Sequence, residues 1–597
     1  MNDPIYYYVF TSIVLYYVVK VSRAYIKWWC SPLWSLPGPR DGSWLTGQFI
    51  QILKAPFLEP HKRWWKEASV DTPLIHYCLP FGKHSIMVLD ADIVKEILFA
   101  RYGKNPQYIK KLHGLIPLIG KGLLTLEGQD WQRHRRIIHP SFQPNLIRES
   151  LAEVVPKLVT KFITYWKKCA DGKREIDVCS HLSNLTLDII GDAAFSHDFH
   201  ALDSIKKWAN AIKNTDINCH NHDRTNGGGE SKTSSSNIDD DELVPVSDKI
   251  TLSMQSIFNN SVRRIILMIL NLSILDYRTK NSGRLLDEAV DEVITEARRK
   301  LEINRIAAKN ESLINSSNGT SSSTKLSTTQ ATNPRECGRL SLLQRLLDAE
   351  DSSHDNNNKS ARKSLDDHEL RDEVKTFLTA GHETTSTWCY WAIFALCKYP
   401  DIQEKVCQDI MEHCCPSSSS SSSSSTSEGI NNIITIEMIE KMKYFNAFMK
   451  EVLRLYPPAG MILRSTVKDE KIKKNGMIIP AETKILIPIH LLHRHPLYWK
   501  DPELFSPERW LSDNGNGTSE VHNPSNHKYA YMPFSNGPRN CIGYYFAEME
   551  AKLLMVPLIK QFVFRLPRSL INTEFTFTTF ITMKAKPDFK ICIQSRS

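Results

Sequence analysis

The segment FSNGPRNCIG, Phe534 to Gly543, constrains this chain most, because it sets one cysteine, Cys541, in a glycine-punctuated turn. An arginine, Arg539, stands two positions before it and an apolar helical pattern follows. Gly537 and Gly543 can take backbone angles closed to other residues and let the chain pass close to a flat ligand. Phe534 can shield the sulfur from water. The arrangement suits a thiolate held under a metal. A lone cysteine in a turn is ordinarily a small buried hydrophobe, and with 13 Cys in the chain most are of that kind. The reading of Cys541 therefore rests on its company.

Other segments supply that company. In KEVLRLYPP, Glu451 and Arg454 lie three apart on an expected helix and share a face, where a carboxylate and a guanidinium can pair in a fork. Such pairs are also common on solvated surfaces. FSPERW adds Arg509 before the cysteine turn. The run RDEVKTFLTAGHETTSTWCYWAIFAL is long, largely apolar and free of proline, which predicts a long central helix. Within it Gly381 leaves space beside the helix. Thr384 and Glu383 could order water and pass protons there, or the threonine pair could simply bond back to carbonyls one turn earlier. In EGQDWQRHRRIIHPSF, Trp131 and Arg135 are four apart on one helical face.

Taken together and in this order, these residues resemble the cytochrome P450s, over essentially the whole chain outside low-complexity insertions. The resemblance implies a mainly α fold with small β-sheets, a triangular helical prism around non-covalent haem b. It makes Cys541 the axial iron ligand, whose electron donation favours cleavage of the O–O bond. Phe534, Gly537 and Gly543 would then form the haem-binding loop, and Trp131, Arg135 and Arg539 would meet the haem propionates, with Arg464 a further candidate by position. Ala380 and Gly381 precede the acid and alcohol pair, Glu383 and Thr384, to which the family assigns proton delivery. Glu451, Arg454 and Arg509 become a structural triad bracing the haem-binding core. His382 falls in a variable slot and receives no role. Haem-esterifying fatty-acid hydroxylases carry a glutamate at the place of Ala380, so covalent haem is not expected.

The implied activity is an external monooxygenase inserting one atom of O2 into an apolar substrate: a fatty acid, sterol, terpenoid or xenobiotic. The expected distal lining is 108–124, the central helix before Ala380, and 578–580. No flavin or nicotinamide fingerprint occurs, so the resemblance implies electrons from NADPH through a separate NADPH-cytochrome reductase. Two other classes remain open: a haem-thiolate isomerase or dehydratase, and a non-catalytic haem-based sensor or ligand carrier.

Composition bears on partners and placement. The formal net charge is +9 without a compact basic stretch interleaved with aromatics, which speaks against nucleic-acid binding and suits an acidic redox partner or anionic lipid. The cysteines show no CxxC pair and read as reduced thiols. A polar NCHNHD stretch, with Cys219, His220 and His222, lacks the second ligand pair of a zinc site. Residues 5–19 are uncharged and apolar or aromatic, followed by Lys20, Arg23 and Lys27. That order is the reverse of a cleaved signal peptide, so a single transmembrane helix within 1–30 is expected. Trp28, Trp29 and Trp34 would sit at headgroup level, and the catalytic domain, 31–597, would be cytosolic on the endoplasmic reticulum. Polar or serine-rich insertions near 215–241, 309–332, 351–363, 416–430 and 512–527 bury too little apolar area to order. The sequons Asn318 to Thr320 and Asn516 to Thr518 would go unused on a cytosolic domain. The apolar run 263–277 is either a core helix or a surface that dips into lipid.

Overall fold

The computed structural model describes residues 4–596 apart from 103, 111, 113–114, 211–249, 251–276, 318–340, 352–363, 415–433, 514–518, 522–524, 526 and 580–581. Helix α1 (Pro4–Trp29) precedes the antiparallel hairpin of β1 (Leu74–Leu79) and β2 (Lys83–Val88). Helices α2 (Gly128–Ile138), α3 (Pro144–Lys167), α4 (Val178–Ile190), α5 (Tyr277–Ser317), α6 (Asp367–Lys398), α7 (Lys443–Leu455) and α8 (Tyr544–Gln561) follow. The sheets are small, as expected. The largest has five strands, in which β1 and β2 continue through Lys484–Ile487 and Ile462–Thr466 to Tyr108–Ile109.

Helix α6 is the central element. It starts at a capping box in which the Asp366 side chain accepts from the Glu369 N–H and Glu369 answers at the Asp366 N–H. From Trp388 to Leu396 every residue is buried, the mark of a helix surrounded by protein on all sides. Around it α3, α4, α7 and α8 close one continuous apolar cluster.

Three expectations meet the structure differently. Helix α1 forms, but among the described residues no helix is long and apolar enough to cross a membrane. Its tyrosines dilute the hydropathy, and Lys20, Arg23 and Lys27 interrupt its second half. The insertion expected at 309–332 begins as helix, since α5 runs on to Ser317. The one at 512–527 holds a short hairpin, Leu511–Asp513 paired with Ser519–Val521. Strand pairing there satisfies backbone groups that composition alone leaves to water. Residues 215–241, 263–276, 416–430, the NCHNHD stretch and both sequon triplets lie outside the described residues, as do 318–332 and 352–363.

Candidate active site

The cysteine turn is held by its own backbone. The Cys541 N–H donates to the Phe534 carbonyl at 3.0 Å and the Asn540 N–H to the Gly537 carbonyl at 3.0 Å. Gly537 has φ +74°, and a Cβ there would lie 2.5 Å from the Leu98 carbonyl oxygen, so glycine is required twice over. Gly543 differs from expectation. Its φ of −87° is open to any residue, and a Cβ would meet nothing nearer than Phe142 at 3.8 Å. Gly543 does line the cavity.

Cys541 lies at the N-terminus of α8, where the helix dipole favours a thiolate. Burial pushes the thiol up, while a hydrogen bond from the Gly543 N–H and the charges of Arg135 and Lys110 pull it back. Phe534 packs edge-on between Trp388 and Tyr544, ring centroids 6.1 and 5.3 Å away.

The sulfur opens onto a cavity of about 420 Å³. Ala380, Gly381, Thr384 and Thr385 of α6 line this same space, so the central helix and the cysteine turn share it. Most of the remaining wall is apolar, with Leu115, Ile119, Leu123, Phe377 and Ile462 among its members. The segment 115–124 is pinned to α6: the Lys121 N–H donates to Asp372 at 2.7 Å and the Leu123 N–H to Glu373 at 3.0 Å. Sequence reasoning missed both acids, which belong to no motif. Of the expected distal lining, Thr578 does not line the cavity and Phe580 lies outside the described residues.

Positive charge collects on one part of the wall. Arg135, Arg539 and Lys110 line the cavity, and Arg464 stands close enough to oppose the charges of Lys110 and Arg539. The Arg539 guanidinium stacks 4.3 Å over the Trp131 ring and donates to the Leu126 carbonyl. Glu127 is its counter-charge, at 3.2 Å, and also accepts from the Lys110 N–H at 2.7 Å. Arg135 is held by Asn540. Burial holds Lys110 well below the ordinary lysine range and Arg539 and Arg464 each at about 10. Three arginines with a buried lysine beside them, and one carboxylate among them, call for an anion, and two haem propionates supply two negative charges. Thiol, apolar space and cation excess therefore fit haem. Lys110 was not singled out from the sequence; it sits in an ordinary KK pair, and only folding brings it to this wall.

The acid and alcohol pair of α6 divides. Thr384 lines the cavity and its hydroxyl donates to the Ala380 carbonyl at 2.7 Å. The Glu383 carboxylate does not line it. It is buried against Lys584 Nζ at 2.8 Å and accepts from the Thr582 hydroxyl at 2.9 Å. The space left by Gly381 is also not empty: a Cβ there would lie 2.0 Å from Cδ1 of Ile190 on α4, so the missing side chain admits a neighbouring helix. His382 is buried with its ring on the Leu378 carbonyl.

Glu451, Arg454 and Arg509 do come together. Arg454 Nε meets Glu451 at 2.8 Å and Arg509 Nε meets it at 3.0 Å, and the Trp510 indole N–H also donates to it, at 2.9 Å. Arg454 is wholly buried; its Nη2 also donates to Glu451 at 2.9 Å, and its terminal nitrogens reach the carbonyls of His493, Pro502 and Leu504.

Comparison with known proteins agrees with this geometry. The family profile described as "Cytochrome P450" matches residues 37–593, and the chain belongs to that family. It is 27% identical to human cytochrome P450 4X1 over 476 residues, which is 80% of this chain and 75% of the relative. Rat cytochrome P450 4A2 is 26% identical over 80% of this chain and 75% of its own length, and human cytochrome P450 4Z1 is 25% identical over 92% and 89%. The crystal structure of a cytochrome P450, CYP102L1, superposes with a TM-score of 0.63 at 20% identity, covering 94% of this chain and 99% of that one; it shows the shared fold. Members of the family bind haem b, and microsomal members receive electrons from NADPH through a reductase.

Proposed function

We propose that this protein is a haem-thiolate monooxygenase acting on apolar, lipid-like substrates. The observation that carries the reading is a single cavity shared by the Cys541 sulfur and the Thr384 hydroxyl, apolar over most of its wall and cationic at one part. Haem ligated by Cys541 supplies reductive activation of O2 and transfer of one oxygen atom. The chain's own residues do the rest. Phe534 keeps water from the sulfur; Trp131, Arg135, Arg539 and Arg464, joined by Lys110, hold the propionates; Gly537 and Gly543 let the turn approach the ring.

Thr384 moves the protons. Its hydroxyl, bonded to the Ala380 carbonyl, can release that bond and donate toward the cavity. Glu383 sits one residue away as a charged reservoir with Lys584, and reaches the cavity only through a rotamer change or water. Glu451, Arg454 and Arg509 act on the fold and not on the reaction.

The apolar wall and the relatives' type favour a fatty acid or similar lipid, and the GHETTS segment resembles chain-end fatty-acid hydroxylases. Ala380 leaves the haem without an ester link. Electrons would come from NADPH-cytochrome reductase docking on the basic side near the cysteine turn. Helix α1, with Trp29 and Leu45 67% and 57% exposed close to its end, supports attachment to the endoplasmic reticulum membrane with the catalytic domain in the cytosol. The test is turnover of a panel of apolar compounds on membranes with reductase and NADPH. Oxygenated product upholds the reading; conversion without NADPH makes the protein an isomerase or dehydratase, and haem binding without any turnover makes it a sensor or carrier.

A further inference from the structure

The β1–β2 hairpin carries a second set of donor atoms, well before the cysteine turn in the chain. His76 and Cys78 alternate along β1 and so share a face, and the antiparallel register sets His84 of β2 directly opposite Cys78. His76 Nε2 lies 2.8 Å from His84 Nδ1 and 3.8 Å from Cys78 Sγ. All three donor atoms fall within 4.8 Å of one another. His76 and Cys78 are buried and His84 half-buried. Burial lowers the two imidazoles to about 3 and about 4, so both are neutral. Of His76 Nε2 and His84 Nδ1, one carries the hydrogen of their mutual bond, and that hydrogen moves to the ring's other nitrogen when both lone pairs face a metal. The Trp28 indole N–H donates to the sulfur at 3.2 Å, and the Trp34 ring stands edge-on to both histidines.

We propose that His76, Cys78 and His84 form a binding site for a soft d10 cation, cuprous copper in preference to zinc. Two imidazole nitrogens and a thiolate, with no oxygen donor, exclude calcium, magnesium and manganese. Metal–nitrogen bonds of about 2.0 Å and metal–sulfur bonds of about 2.3 Å place ligand pairs roughly 3.3–3.8 Å apart. The His76–Cys78 contact already fits, the two rings need to part by about half an ångström, and His84, which lies within 4.8 Å of the sulfur, must close on it to the same window. Among the described residues no fourth His, Cys, Asp or Glu joins the cluster.

Charge then separates the two cations. The charged side chains whose fields reach the histidines are Arg40 and Lys27, both positive. On binding, the Cys78 thiol releases its proton to solvent. A Cu⁺ thiolate complex is neutral, whereas Zn²⁺ leaves one positive charge buried beside two cations. The Trp28 hydrogen bond stabilises the thiolate in either case. An occupied site would tie the end of α1, through Trp28, to the five-stranded sheet.

The test uses the full-length, haem-loaded protein under reducing conditions, equilibrated in separate arms with Cu⁺ competed against a cuprous chelator and with Zn²⁺. Metal per chain is counted by mass spectrometry for the wild type, Cys78→Ser and His84→Ala, with the haem spectrum reporting that each is folded. The wild type should retain about one more Cu⁺ per chain than either variant, with two nitrogens and one sulfur in its X-ray absorption, and only the wild type should gain thermal stability from Cu⁺. Retention of Zn²⁺ but not Cu⁺, lost in both variants, would uphold the site and overturn the charge argument. Equal metal content in all three proteins would reduce the cluster to a His–His hydrogen bond and overturn the proposal. Should Cys78→Ser fail to fold, the half-buried His84→Ala carries the comparison.

Discussion

The Glu383 carboxylate meets Lys584 Nζ at 2.8 Å, so the acid of the central helix is tied to a C-terminal strand and not to the cavity. Its side chain is 5% exposed and that of Lys584 is 29%, a pair buried at one end and half-open at the other. Replacing Lys584 by Met leaves a buried carboxylate with only the Thr582 hydroxyl. Removing one partner of a fully buried pair costs roughly 3–5 kcal/mol, and partial exposure reduces this to about 1–3 kcal/mol. Chemical denaturation of Lys584→Met should show that loss, and Glu383→Gln in the same background should recover part of it.

Thr384 tests the proton route separately. It faces the cavity, so Thr384→Ala should leave folding and haem binding intact. Without its hydroxyl, electrons should drain to peroxide or water, and product per NADPH should fall about ten-fold or more. Product and NADPH measured together check this; unchanged coupling removes Thr384 from the route.

Gly537→Ala should disturb the cysteine turn without touching the sulfur. A positive φ costs an L-residue about 1–2 kcal/mol, and the Cβ would also press 2.5 Å from the Leu98 carbonyl oxygen. The purified variant should carry less haem per chain and lose it at lower temperature. Gly543→Ala, which meets no backbone, should fold normally and show its effect in haem affinity.

Glu550 of α8 gives a pH signature. It is fully buried behind the cavity-lining Thr385, and burial pushes its carboxyl up to about 8 while the Thr385 hydroxyl pulls it back. An unfolded glutamate loses its proton near 4.5, the folded one near 8. Between those values the folded state holds the extra proton, so this group's contribution to stability falls as pH rises. Glu550→Gln should flatten the decline of melting temperature across that window.

The sequence carried the parts of the site that local backbone chemistry dictates. Gly537 had to be glycine because the turn needs its φ, and Trp131 and Arg135 share a face because they are four apart on a helix. What depends on distant chain segments was not legible. Lys110 joins Arg135 and Arg539 only when 108–110 folds against the start of α2. Glu383 takes Lys584 as partner from a strand far along the chain, and the gap at Gly381 is filled by Ile190 from another helix. Composition did not reveal the pairing of Leu511–Asp513 with Ser519–Val521 in the insertion expected at 512–527, because strand pairing is a property of two segments and not of their polarity.

The central claim is a thiolate bond from Cys541 to haem iron, and the reduced, CO-bound absorption spectrum reads it directly. The wild-type protein should show the red-shifted band of a thiolate ligand, and Cys541→Ser should lose that band while retaining its helical circular dichroism. A wild-type protein that binds no haem, or a serine variant that keeps the thiolate spectrum, would contradict it.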